Sequence, residues 1–115
     1  HSQNIEAWFT HVPGLKIVYP SNPVDAKGLL ISSIDDPNPV LFFEHKGLYR
    51  SIKSDVNDGL YAKEIGKGKI IQKGDNLSII TYGLGVHWAL EATKQVANDK
   101  SILERVNYGQ DIFQF

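Results

Sequence analysis

The sequence predicts an α/β fold made of two successive strand–helix pieces. Three observations carry this expectation. Two short apolar runs, residues 16–19 and 40–44, flank a stretch whose apolar residues recur at helical spacing. A third run, residues 77–82, turns through Gly83-Leu84-Gly85 into a second helical pattern. Between the pieces lies a stretch rich in glycine and dispersed charge, with neither periodicity.

The chain opens on a polar tripeptide, His1-Ser2-Gln3. Ile5, Trp8, Phe9 and Val12 then stand at helical spacing, which predicts a short amphipathic helix. Asn4 is its expected N-cap, and Glu6 lies in the first turn, where the helix dipole favours a carboxylate. Pro13-Gly14 ends it. Residues 16–19 are apolar and partly β-branched, and so read as a strand. Ser21-Asn22-Pro23 is a helix start, a capping residue followed by proline at the first helical position. Val24, Gly28, Leu29, Ile31 and Ile34 space the expected buried face, with Leu30 on its flank, to about Ser33 or Asp35. Asp35-Asp36-Pro37-Asn38-Pro39 breaks the helix. Residues 40–44 are a continuous apolar run of strand length, expected to be buried on both faces. Strand, crossover helix and strand make a parallel βαβ unit.

Residues 45–68 read as a connection between domains, with a short extended piece at Leu60-Tyr61. Lys69-Ile70-Ile71 is an expected edge strand. Residues 77–82 form a strand, and Val86, Ala89, Leu90, Thr93 and Val96 space the buried face of the helix after it. A βα unit normally returns with a second parallel strand. Asn107, Gly109, Gln110 and Asp111 oppose one. The expectation after about Asn98 is therefore a helical turn or irregular segment at the periphery.

Bulk properties narrow the function classes. The 115 residues suffice for one small domain with a real core, and the net charge of −1 leaves no basic footprint for nucleic acid or an anionic membrane. There is no cysteine to form a disulfide or a thiolate metal site. No apolar run reaches the length of a membrane-spanning helix. Glycine-rich nucleotide loops and nucleophile elbows are absent, and Gly83-Leu84-Gly85 reads as a tight βα turn. His11 and His87 have no ligand spacing and read as structural. Glu44 and His45 end an expected buried strand, at the edge where open α/β sheets place ligands. As sequential neighbours on a strand they would point to opposite faces, which argues against an acid–base pair.

His-Ser-Gln, an aromatic-rich helix and then His11-Val12-Pro13-Gly14-Leu15-Lys16 up to Pro20 resemble the beta subunit of thiamine-diphosphate-dependent 2-oxo acid dehydrogenases. The resemblance continues through Asp25-Ala26-Lys27-Gly28-Leu29-Leu30, Asp36-Pro37-Asn38-Pro39-Val40, Phe42-Phe43-Glu44 and Leu48-Tyr49-Arg50. It returns at Gly74-Asp75-Asn76-Leu77 and Tyr82-Gly83, and covers roughly residues 1–97. It implies that residues 1–50 end a pyrimidine-binding, transketolase-like domain. Residues 51–68 would be a linker, and residues 69–115 would begin a transketolase C-terminal-like domain. The implied parent decarboxylates a 2-oxo acid on thiamine diphosphate and acylates the lipoyl-lysine of an acyltransferase core. His1 is then the catalytic residue, projecting into the active-site channel as a hydrogen-bonding acid or base, work that suits an imidazole.

The resemblance also implies a potassium ion on backbone carbonyls at Ser33, Asp36 and Asn38, where a helix end offers unpartnered oxygens to a hard cation. The implied partners are an alpha subunit holding Mg2+ and the diphosphate, a second beta subunit and a lipoyl domain. The implied compartment is the bacterial cytoplasm, or the mitochondrial matrix in a eukaryote. The family's subunit is far longer, so the chain is expected to be a fragment, inactive alone. Acetoin dehydrogenase, another transketolase-like thiamine enzyme and a non-catalytic interaction module are the alternatives.

Overall fold

The computed structural model describes residues 3–74, 77–98 and 110–114, which fall into two compact units, 1–65 and 66–115. In the first unit, β1 (Lys16–Val18) and β2 (Val40–Phe42) pair in parallel, with Lys16 opposite Val40 and Val18 opposite Phe42. The crossover between them is helix α1 (Pro23–Asp35). Its start is built as the sequence indicates. The Asn22 side chain accepts the Asp25 N–H at 2.8 Å, and Pro23 occupies the first turn, where no backbone donor is needed.

The buried face of α1 differs from the expected one. Ile34 is 74 % exposed, whereas Asp25 and Gly28 are buried. Asp25, Gly28 and Ser32 recur at spacings of three and four, so they share a helix face. Residues 60–63 run against that face. Lys63 N–H donates to the Gly28 carbonyl (3.1 Å), and Ser32 Oγ donates to the Lys63 carbonyl (2.5 Å). Tyr61 O–H donates to the Val24 carbonyl (2.9 Å), and the Lys63 ammonium pairs with Asp25. Small and polar residues allow this close approach, which apolar periodicity does not reveal. The following stretch departs from the expected form by adding a four-residue helix, α2 (Leu48–Ser51).

Two further expectations for this unit fail. The N-terminal segment is a single 3-10 turn, Glu6–Trp8, with Ile5 at its N-cap position and no side-chain cap from Asn4. Trp8 is 67 % exposed, while Glu6 is buried. The residues of β2 are half-buried rather than enclosed on both faces. Gly14 adopts φ 83°, the left-handed conformation that its turn requires.

In the second unit, β3 (Lys69–Gln72) and β4 (Leu77–Thr81) flank a third strand, β5 (Gln110–Gln114). β5 runs parallel to β4, from Leu77 opposite Gln110 to Thr81 opposite Gln114, and antiparallel to β3. The chain thus does return with a strand beside β4, correcting the expectation for the tail. That strand begins at Gln110, and residues 101–106 lie outside the described residues. Its polar start is tolerated because β5 has a hydrogen-bonded neighbour on each side. Helix α3 (Leu84–Asn98) buries Val86, Ala89 and Thr93. Gly83 (φ 54°) makes the turn from β4, and Gly85 lies too close to the Thr81 side chain for a Cβ to fit.

Candidate functional site

The carboxyl ends of β1 and β2 open side by side, because parallel strands finish at the same edge. β1 leads into Tyr19-Pro20-Ser21 and β2 into Phe43-Glu44-His45. Phe43 N–H still donates to the Val18 carbonyl (2.8 Å), holding the two exits together. The Phe43 ring lies between those of Phe9 and Tyr19, each centroid 6.0 Å away at an interplanar angle of 38°.

Two clefts meet at this edge, and Glu44 and His45 line both. The smaller, about 230 Å³, is walled by Ile5, Tyr19 and Phe43, with Gln3, Asn4 and Glu6 among its polar residues. The larger, about 330 Å³, lies between the start of α1 and α2. The regular strand stops at Phe42, so the alternation of side chains no longer separates Glu44 from His45. Tyr49 O–H donates to Glu44 Oε2 at 2.6 Å, and Gly47 N–H donates to His45 Nδ1 at 3.2 Å. That second bond leaves the imidazole proton on Nε2. The hydrogen bond to Glu44 raises the Tyr49 phenol above its usual pKa. Burial raises that of Tyr19, and the nearby Glu6 charge adds to the effect.

His1 lies outside the described residues. Ser33, Asp36 and Asn38 do come together at the end of α1, with their side chains already engaged. Ser33 Oγ donates to the Leu29 carbonyl (2.7 Å). Asp36 Oδ1 accepts from Asn38 N (2.9 Å) and Nδ2 (3.0 Å), while Oδ2 pairs with the Lys16 ammonium. These bonds, Lys16's first, hold the Asp36 carboxyl at a pKa of about 2. Among the described residues, no three His, Cys, Asp or Glu gather as a metal site. His11 is exposed and His87 partly buried. Sequence periodicity gave no sign of Tyr49, Tyr61 or Lys63. The Leu48-Tyr49-Arg50 stretch of the family resemblance and the expected extended piece at Leu60-Tyr61 touched this group without indicating its contacts.

Residues 1–52 match the family described as the transketolase pyrimidine binding domain. The chain is 52 % identical over 99 residues to the 2-oxoisovalerate dehydrogenase subunit beta of Bacillus subtilis. It is 46 % identical over 99 residues to the pyruvate dehydrogenase E1 component subunit beta of the same organism. The chain is related to the beta subunits of 2-oxo acid dehydrogenases. A further relative is the acetoin:2,6-dichlorophenolindophenol oxidoreductase subunit beta of Cupriavidus necator, 50 % identical over 99 residues. These matches take in 86 % of this chain but only 29–30 % of each beta subunit, so the chain spans about a third of its relatives' length. A solved structure titled split gene transketolase, inactive beta4 tetramer, superposes with a TM-score of 0.69. It covers 97 % of this chain and 34 % of that one at 21 % identity, and shows a shared fold. No helix of the described residues is long and apolar enough to cross a membrane.

Proposed function

We propose that this chain is a segment of the beta subunit of a 2-oxo acid dehydrogenase decarboxylase component. The observation that carries the reading is the 52 % identity over 99 residues to a 2-oxoisovalerate dehydrogenase beta subunit. When bound, thiamine diphosphate supplies the electron sink for decarboxylation. The smaller cleft suits the pyrimidine half of that cofactor. Tyr19, Phe43 and Ile5 offer apolar walls for a flat ring, and Gln3 and Asn4 offer amide groups to its polar edge. Lys46 is the one lysine or arginine lining this cleft, so the diphosphate and Mg2+ are assigned to an alpha subunit. His1 is assigned the acid–base role near the reacting atoms, ahead of acyl transfer to a lipoyl domain. A second beta subunit completes the proposed assembly. A potassium ion on the carbonyls of Ser33, Asp36 and Asn38 would steady the end of α1. The proposed domain limits are residues 1–50, 51–68 and 69–115. The proposed compartment is the bacterial cytoplasm, on the sources of the relatives.

The acetoin relative, at 50 % identity, supports a second reading in which the substrate is acetoin. A chimera separates the two. The 99 matched residues replace those of the Bacillus subtilis 2-oxoisovalerate dehydrogenase beta subunit, which is then assembled with its alpha subunit. Lipoamide-linked turnover is measured with branched 2-oxo acids, pyruvate and acetoin. Turnover of 2-oxo acids is expected. Turnover of acetoin alone would favour the second reading, and an assembled chimera inert to all substrates would contradict both.

A further inference from the structure

The larger cleft has no part in the proposed function, and its chemistry is lopsided. Pro20, Pro23, Ala26, Leu48 and Ile52 form apolar walls. Glu44 is the one residue lining it that carries a formal charge, with no lysine or arginine to balance it. Lys46 lines the smaller cleft, which shares Glu44 and His45 with this one. Tyr49 O–H holds one carboxylate oxygen at 2.6 Å, which fixes the group's orientation and leaves Oε1 to meet a ligand. The Asn22 amide, also on the wall, is occupied: Oδ1 accepts Asp25 N–H at 2.8 Å, and Nδ2 donates to Asp25 Oδ2 at 2.6 Å.

We propose that this cleft binds an aliphatic chain ending in a primary ammonium, with Glu44 as the acceptor and the Pro20–Leu48–Ile52 wall covering the methylenes. A charged donor on a carboxylate makes one of the stronger hydrogen bonds available to a protein. The apolar walls add burial of the chain's methylenes. An anionic ligand would meet the Glu44 charge with only the His45 imidazole, and no lysine or arginine, to offset it. The same chemistry is offered by a free alkylamine and by a lysine side chain of a partner protein. This assignment does not depend on the proposed decarboxylase.

Saturation-transfer NMR on the 115-residue chain tests it with n-butylammonium, n-butanol and n-butyrate as probes. Saturable binding of n-butylammonium is expected, with strongest transfer to its methyl end, weaker binding of n-butanol and no competition by n-butyrate. Glu44→Gln should weaken n-butylammonium at least tenfold. Glu44 is exposed, so circular dichroism should show that this variant keeps its fold. Tyr49→Phe should weaken it less, because the carboxylate remains. Equal binding in Glu44→Gln, or n-butyrate binding as well as n-butylammonium, would overturn the assignment. Nα-acetyl-lysine amide identifies the source. Tighter binding than n-butylammonium supports a partner's lysine, and equal or weaker binding supports a small amine.

Discussion

Gly28 lies inside α1, where replacement by alanine ordinarily gains about 1 kcal/mol. Here the sign should reverse. An added Cβ would stand 2.7 Å from Lys63 Cγ and 2.9 Å from Tyr61 Cε2. Lys63 can give way, but Tyr61 is held by its hydrogen bond to Val24 and by the Lys27 ammonium 5.1 Å over its ring. Overpacking of this kind costs about 1–3 kcal/mol. Gly28→Ala should therefore melt below the parent chain, and a higher melting temperature would show that residues 60–63 do not pack on α1. Asp36 makes an electrostatic prediction. Its folded pKa, about 2, lies below the unfolded value. The unfolded chain therefore binds the proton more readily, and stability is lost as pH falls from the ordinary carboxylate range toward about 2. Carboxyl-carbon NMR should find the midpoint near the folded value and move it upward in Lys16→Met. An unchanged midpoint would remove Lys16 as the main cause.

At the scale of elements, β5 holds the second sheet together. Removing residues 110–115 would leave β3 and β4 unpaired, because neither is hydrogen-bonded to the other. Hydrogen exchange at residues 69–72 and 77–81 should become fast in that truncation. Retained protection at residues 77–81 would mean that α3 alone orders β4. This strand was the least legible element, because Gln110 and Asp111 resist assignment by propensity, and partners distant in the chain make it a strand. The βαβ unit was legible because its signals are local: the Asn22 cap, Pro23, and the break at Pro37 and Pro39. At the site, Glu44 and His45 could be placed at a strand end. Their convergence could not, since it depends on where β2 stops. The strap on Asp25, Gly28 and Ser32 was hidden for a similar reason, as small and polar residues carry no hydrophobic signal.

At the scale of the whole molecule, several apolar side chains stand in water. Leu30 and Ile34 share one side of α1 at i, i+4 spacing, and Ile80 on β4 is 68 % exposed. Apolar surface of this kind usually marks interfaces. The isolated chain should self-associate at micromolar concentration, and sedimentation as a compact, cooperatively melting monomer would contradict that. In the proposed function, the segment beginning at His1 supplies active-site chemistry to a beta subunit. The direct measurement is the rate of lipoyl acylation in the chimera with His1→Ala, with cofactor affinity measured beside it. Loss of a positioned acid or base costs about two to four orders of magnitude in rate. A loss of that size with cofactor affinity nearly unchanged is expected, whereas an unchanged acylation rate would contradict the role of His1.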